Sequence, residues 1–304
     1  MKKYYHLLFL IFLTSAVSAQ KDEGDLLSLL GDDKATDYTT AAFKTNRVVN
    51  GHSIENTAAG VLDFKISHRF GPMRQGIYDL VGLDGASIRF GFDYGINNRL
   101  MVGVGRNSYE KVIDGFVKYK ILRQSSGRRN MPVTLVYLMD AQIKTVKFSD
   151  ETRDNKFSSR LYYTHQVLIG RKFNERVSLQ LMPTLIHRNL VETNEDKNDV
   201  FAMGVAGRIK LNKRLALTAE YYYVPNGQIS QDFANSLSLG IDIETGGHVF
   251  QLHFTNSQDM TYKGFITETR EDWFFKNNED RLLAGMRLGF NISRVFTIKK
   301  PKGM

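Results

Sequence analysis

Phe201-Ala202-Met203-Gly204-Val205-Ala206-Gly207-Arg208-Ile209-Lys210-Leu211-Asn212-Lys213-Arg214-Leu215 carries two signals in succession. Its first part alternates. Phe201, Met203, Val205, Ile209 and Leu211 oppose Ala202, Gly204, Ala206, Arg208 and Lys210, the period-2 pattern of a strand with one apolar face. Its end, Leu211-Asn212-Lys213-Arg214-Leu215, recurs as Ile96-Asn97-Asn98-Arg99-Leu100 and Phe173-Asn174-Glu175-Arg176-Val177, each time between alternating runs. An Asn-x-Arg step in that setting predicts a tight hairpin turn, with asparagine chosen because it tolerates left-handed backbone angles.

Working outward, the alternation starts at Val61 and predicts about 12 strands, with ends good to ~2–4 residues. They lie near 61–70, 86–96, 100–109, 113–122, 132–146, 159–173, 177–189, 200–211, 215–224, 235–244, 247–256 and 281–293. In the second, Ile88, Phe90, Phe92 and Tyr94 oppose Arg89, Gly91 and Asp93. In the last, Leu282, Ala284, Met286, Leu288, Phe290 and Ile292 oppose Leu283, Gly285, Arg287, Gly289 and Asn291. Runs of ~10–13 residues exceed globular strands of ~5–6 and match tilted membrane strands of ~9–11. A sheet in lipid must close to pair every backbone group. The expected fold is all-β, a closed antiparallel up-and-down transmembrane β-barrel with its apolar face outward and a polar, Gly-rich lumen.

Connection lengths give the orientation. The three Asn-x-Arg turns and Thr245-Gly246-Gly247 all fall on one end, the predicted periplasmic one. The long connections 71–85, 147–158, 190–199 and 257–280 fall on the other, as barrels of the outer membrane arrange them. Two fit poorly: the short outer connection Glu110–Val112 and the long periplasmic one Arg123–Met131.

The chain begins like a secreted one. Lys2 and Lys3 precede the apolar Leu7–Leu13, and Val17-Ser18-Ala19 offers a small-residue cleavage site, so 1–19 is expected to be a signal peptide. Seven or so apolar residues are too few for a spanning helix of ~20. There is no cysteine, which excludes a disulfide, a thiolate metal site and a lipoprotein anchor. The 41 basic residues less Lys2 and Lys3, against 32 acidic ones, leave the mature chain near +7, a mild basic bias. Residues 20–60 are weakly patterned apart from one or two helical turns at Asp25–Gly31, and read as a periplasmic N-terminal extension or a plug in the barrel mouth. The barrel is expected over 61–296, with a basic tail over 297–304.

Phe43-Lys44-Thr45-Asn46-Arg47-Val48-Val49-Asn50-Gly51-His52-Ser53-Ile54-Glu55, with Val61-Leu62-Asp63-Phe64-Lys65-Ile66-Ser67-His68-Arg69-Phe70-Gly71, resembles the DUF5777 family of β-barrel proteins from Bacteroidetes. Leu83-Asp84, Arg89-Phe90-Gly91, Tyr94-Gly95, Val102-Gly103-Val104-Gly105-Arg106 and Asp114–Lys120 continue the likeness, which is densest over 43–122. The resemblance implies an outer-membrane barrel and brings no activity or catalytic residue with it. Many such barrels end in an aromatic residue read by the barrel assembly machinery. This chain continues to Lys299-Lys300-Pro301-Lys302-Gly303-Met304, so Phe290 and Phe296 are the candidates for that signal.

Candidate chemistry is sparse. Adjacent residues of an extended segment point opposite ways, so His52 is badly placed to activate Ser53, and no catalytic residue is assigned. His68, His165 and His187 lack the His-x-Ser-Asn-Gly pattern of outer-membrane phospholipases, leaving a lipid-modifying enzyme as a minor alternative. His248 and His253 fall on opposite faces of one strand, and Asn194, Glu195, Asp196 and Asp199 read as a solvated loop, so no metal or cofactor is expected. Gly103-Val104-Gly105-Arg106 opens no helix and is no phosphate loop. What remains is the lumen. Alternation puts Lys65, Arg69, Arg89, Lys118, Lys120, Arg208, Lys210 and Arg287 inside, with Asp63, Asp93, Glu220, Asp242 and Glu244. The expected function is a narrow pore or transport barrel with a slightly basic lumen. The alternatives are a closed barrel filled by paired charges and a structural barrel docking a periplasmic protein through 20–60. Expected partners are outer-membrane lipid, lipopolysaccharide and the assembly machinery, not nucleic acid, in the outer membrane of a Gram-negative bacterium.

Overall fold

In the computed structural model, described for residues 35–148, 152, 155–191, 196–273 and 285–300, twelve strands close into one antiparallel barrel. They are β2 (Val61–Pro72), β3 (Ala86–Gly95), β4 (Leu100–Asn107), β5 (Val112–Leu122), β7 (Thr134–Lys144), β8 (Leu161–Lys172), β9 (Val177–Arg188), β10 (Asp199–Lys210), β11 (Leu215–Tyr223), β12 (Ser236–Thr245), β13 (His248–Thr255) and β14 (Arg287–Thr297). Each strand pairs with the next, and β14 returns to β2 with Ile292 opposite Ile66. Closure leaves no edge to solvate, the condition lipid imposes. Among the described residues no helix is long and apolar enough to cross a membrane. The expected signal peptide and the helical turns at 25–31 lie outside the described residues.

The alternation sorts the two faces. On β12, Leu239 is 46% exposed on the barrel's outside while Ser238 is 0% exposed within. Phe201, Met203 and Val205 face out, and Ala202, Gly204 and Ala206 face in. A soluble β-protein would put the apolar set inside; here lipid takes that role. Tyr94, Tyr119 and Tyr137 sit on outward positions toward the short-turn end, and Tyr163, Tyr221 and Tyr223 toward the long-loop end. These are the two aromatic girdles of a membrane barrel.

The three Asn-x-Arg turns share one geometry. Asn97 Oδ1 accepts the backbone N–H groups of Arg99 and Leu100, both at 2.8 Å. Asn174 holds Arg176 and Val177 at 2.8 and 2.9 Å, and Asn212 holds Arg214 and Leu215 at the same distances. In each, the arginine carbonyl accepts an N–H from the next strand over: Lys120 at 2.8 Å, Lys210 at 2.7 Å and Glu244 at 2.8 Å. None of the three asparagines has a positive φ, which corrects the expected reason for them. Asparagine is there as a side-chain acceptor that replaces missing ladder bonds.

Two more corrections concern the connections and the last strand. The long connection after β5 contains β6 (Ser125–Gly127), which pairs with β1 (Thr36–Tyr38) in a small sheet of its own. The last strand runs over 287–297 rather than 281–293. Its partner β2 ends at Pro72, opposite Arg287, and begins at Val61, opposite Thr297. Past Pro72 the partner chain turns out of the sheet into Met73–Asp79. The part of the expected strand at 281–284 lies outside the described residues.

The interior is occupied. Residues 41–57 enter from the short-turn end as a strap. It makes a tight reversal, with Val48 N–H donating to Gly51 O at 2.8 Å and Ser53 N–H to Asn46 O at 3.0 Å. Phe43, Val48, Val49 and Ile54 are buried among wall residues such as Met101, Leu138, Leu168 and Met182. From the long-loop end, the connection after β13 folds inward and forms α1 (Tyr262–Thr267), whose residues are all buried.

Candidate lumen site

Some of the inward wall charges pair with one another, and others are held by amides and carbonyls. Lys65 Nζ lies 2.6 Å from Asp63 Oδ2 and donates to Ser293 Oγ at 3.1 Å. Arg89 binds Asp114 through both Nε, at 2.9 Å, and Nη2. Gly105 and Gly91 make room for that guanidinium: a Cβ on Gly105 would stand 2.1 Å from Nη2. Asp93 accepts from Asn46 Nδ2 at 2.9 Å, and Asp242 from Gln251 Nε2 at 2.9 Å. Arg287 donates to Phe70 O at 3.3 Å near the long-loop end. Lys210 is half-buried at the short-turn end.

The remaining predicted residues hold the strap itself. Glu220 accepts the backbone N–H groups of Val49, Asn50 and Gly51 at 3.2, 2.7 and 3.1 Å. Arg69 Nη2 donates to Asn50 Oδ1 at 2.7 Å and Nη1 to Asn291 Oδ1 at 3.2 Å. Arg208 donates to the carbonyls of Ala41 and Ala42 at 3.1 and 3.0 Å. Lys118 donates to Glu55 O, Lys120 lies 3.9 Å from the Glu55 carboxylate, and Glu244 pairs with Lys44.

Three uncharged wall residues complete the grip. Gln180 accepts from Ile54 N–H at 3.0 Å and donates to His52 O at 2.8 Å, as a neighbouring strand would. Gln251 donates to Val48 O at 2.8 Å and Asn291 to Val49 O at 3.0 Å. A search for charge passes over these amides, although they share the inward alternation of Lys65 and Arg208. Arg188, also missed, donates to Lys197 O at 2.7 Å and lies 3.6 Å from Asp196.

The strap and the long-loop insert meet. Tyr262 Oη accepts from His52 N–H at 3.2 Å and donates to Gln166 Oε1 at 2.9 Å. The His52 ring stacks edge-on to Phe116 with centroids 4.4 Å apart, and neither ring nitrogen has a hydrogen-bond partner. Burial, with Arg47 and Lys118 close by, holds this imidazole well below its ordinary pKa, so it is neutral. Ser53 Oγ donates to Thr45 O at 2.6 Å, away from His52.

The insert is fixed by its own cluster. Asp259 accepts from Asn107 Nδ2 at 2.6 Å and from Thr261 N–H at 2.8 Å. Lys263 lies 3.1 Å from the Glu110 carboxylate and pairs with Glu268, and Glu110 also pairs with Lys144. This accounts for the short connection at Glu110: it is the wall's post for the insert.

The barrel is similar to several solved structures at low identity. One is the NanC porin, at 12% identity and TM-score 0.46, over 79% of this chain and 100% of that one. Another is the COG4313 outer membrane channel from Pseudomonas putida F1, at 13% identity and TM-score 0.46, over 80% and 98%. A third is the Acinetobacter baumannii outer membrane protein Omp33, at 8% identity and TM-score 0.40, over 77% and 97%. No curated protein sequence matches the chain. The family of membrane-bound β-barrel domains called DUF5777 matches residues 43–296, strap included, and the chain belongs to that family.

Proposed function

We propose that the chain is a gated pore of the Gram-negative outer membrane, closed in this conformation by the strap 41–57 and the insert around α1. The observation that carries this reading is how the strap is held. Its apex is fastened by side chains of Glu220, Gln180, Gln251, Asn291 and Arg69, not by strand pairing with the barrel. A segment outside the barrel ladder can leave without unzipping it. A passage so vacated would be lined by Lys65, Arg69, Arg89, Lys118, Lys120, Arg188, Arg208, Lys210 and Arg287 against Asp63, Asp93, Asp114, Asp140, Glu220, Asp242 and Glu244, a polar path with a slight preference for anions.

Conductance across planar bilayers tests this. The full chain should be mostly silent, and a variant lacking 36–57 should conduct with modest anion selectivity. Glu220→Ala, which keeps the strap but frees its apex, should flicker open. Silence of both variants, when folded, would sink the pore reading. A docking role stays as a second reading, because β1 holds the chain at the short-turn end through β6, with Arg123 stacked 3.9 Å over Tyr38. A periplasmic protein captured by residues 20–35 would be its evidence.

A further inference from the structure

Among the described long-loop connections, 73–85 is unusual in leaving large apolar side chains uncovered. Ile77 and Tyr78 are 88% and 90% exposed, and Leu80, Val81 and Leu83 are exposed beside them. The loop is nevertheless well tied. Gly71 N–H donates to Gly82 O at 2.7 Å, and Val81 N–H to Gly76 O at 2.6 Å. The crossing of Gly71 and Gly82 is so close that a Cβ on Gly82 would stand 2.3 Å from Gly71 O. Leu80 and Val81 both take left-handed backbone angles, φ 50° and 61°, which a β-branched residue adopts only at a cost. The backbone therefore spends strain to hold a compact loop that leaves Ile77 and Tyr78 almost wholly uncovered.

What covers them is set by what lies next to them. The loop leaves the end of β2 directly above the outward-facing His68 and Phe70, which cluster with Phe290 of β14 at ring separations of 4.4 and 5.0 Å from His68. That cluster belongs to the lipid-facing surface at the end of β2, the strand from which the loop leaves. The loop's base is fastened on the other side, toward the insert, by Met73 N–H donating to Met286 O at 2.8 Å and by Arg74 lying 3.0 Å from Glu271. We infer that the 77–83 loop is a membrane-interface anchor, its side chains seated among the lipids of the outer leaflet. This rests on the reading of the chain as an outer-membrane barrel.

The natural chain has no cysteine, so single labels can be placed at will. Nitroxide is attached to Ile77→Cys, and separately to Tyr78→Cys, in the full chain in phosphatidylcholine vesicles. Leu239→Cys on the outward face of β12 and Gln231→Cys in the exposed loop after β11 serve as controls. Collisions with dissolved oxygen should dominate over those with a water-soluble nickel chelate at 77, 78 and 239, and the reverse should hold at 231. Aqueous behaviour at both 77 and 78, with 239 still reading lipid, would overturn the anchor while leaving the barrel intact. Aqueous behaviour at 239 as well would instead count against the membrane reading. Spin–spin broadening at 77 that vanishes on dilution with unlabelled protein would also overturn it, by showing that a second copy covers the loop.

Discussion

Glu220, on β11, accepts the Asn50 backbone N–H of the strap at 2.7 Å, and its two oxygens also hold the N–H groups of Val49 and Gly51. A carboxylate gathered by three successive amides is a strong local clamp, since each hydrogen bond to a charged group contributes roughly 1.5–3 kcal/mol. Glu220→Ala removes all three and leaves the amides unpaired. The strap should then dissociate at least about tenfold more readily, by the lower end of that range. Single-channel open fraction measures it. Glu220→Gln, which keeps an acceptor, should fall between wild type and alanine.

The Asn-x-Arg turns make a prediction that separates two explanations of the same residue. If asparagine were needed for a left-handed backbone, glycine would serve as well or better. Its side chain instead holds two N–H groups at 2.8 and 2.9 Å in the turn at Asn212. Asn212→Gly and Asn212→Ala should both lower unfolding stability by about 1 kcal/mol, whereas Asn212→Asp should retain it. Urea titration of the folded barrel in lipid reads the difference. A glycine variant as stable as wild type would restore the left-handed explanation.

These turns also mark how far the sequence could be read. The strands were legible because lipid outside and water-like polarity inside impose period 2, as at Leu239 against Ser238. The turn positions were legible too, though not the reason for the asparagine. For 20–60 two readings stood open, an extension or a plug, and the course of the strap was not legible, because a segment whose main chain is satisfied by Glu220, Gln180, Gln251 and Asn291 needs no period of its own. Lumen charges such as Arg208 and Glu220 fell on the inward alternation. Their division into wall pairs and strap clamps did not, because it depends on which side chains meet across the barrel. The end of β14 was misplaced because Met286 continues its alternation. The limit comes from the opposing chain, which leaves the sheet after Pro72, a non-local cause.

Arg89 and Asp114 form a doubly bonded pair inside the wall, with Arg89 Nε 2.9 Å from Asp114 Oδ1. Arg89→Met strands a buried carboxylate and should destabilise the barrel by about 3–5 kcal/mol. Arg89→Met with Asp114→Leu removes both charges and should recover most of that loss. Gly105→Ala should disturb the same pair, because its methyl would meet the guanidinium at 2.1 Å. Denaturation of the three variants in lipid checks the order. A double variant no more stable than Arg89→Met would mean that the pair contributes more than mutual neutralisation.

The insert should close most tightly in mild acid. Burial pushes the Asp259 carboxyl up to about 7, against the pull of the Thr261 N–H and of Lys263, while the Glu110 carboxylate pushes it further up. A carboxyl raised in the closed form binds a proton more tightly there than in the open form. Its contribution therefore favours closure below its ordinary value and is lost as pH rises from about 4 through 7. Glu110 acts in the opposite sense. Burial raises it, but Lys263 and Lys144 together outweigh burial and hold it below its usual range, so its contribution is lost as pH falls below about 4.5. Lys263 is raised by Glu268 and Glu110 despite burial and stays charged across this whole interval. The two carboxyls leave a window near pH 4.5 in which closure is strongest. Open fraction should rise from there toward pH 8, and Asp259→Asn, which stays uncharged throughout, should flatten that rise while leaving the acid limb from Glu110 in place. A wild-type pore with the same open fraction at pH 5 and pH 8 would show that Asp259 is not what the closed insert holds protonated.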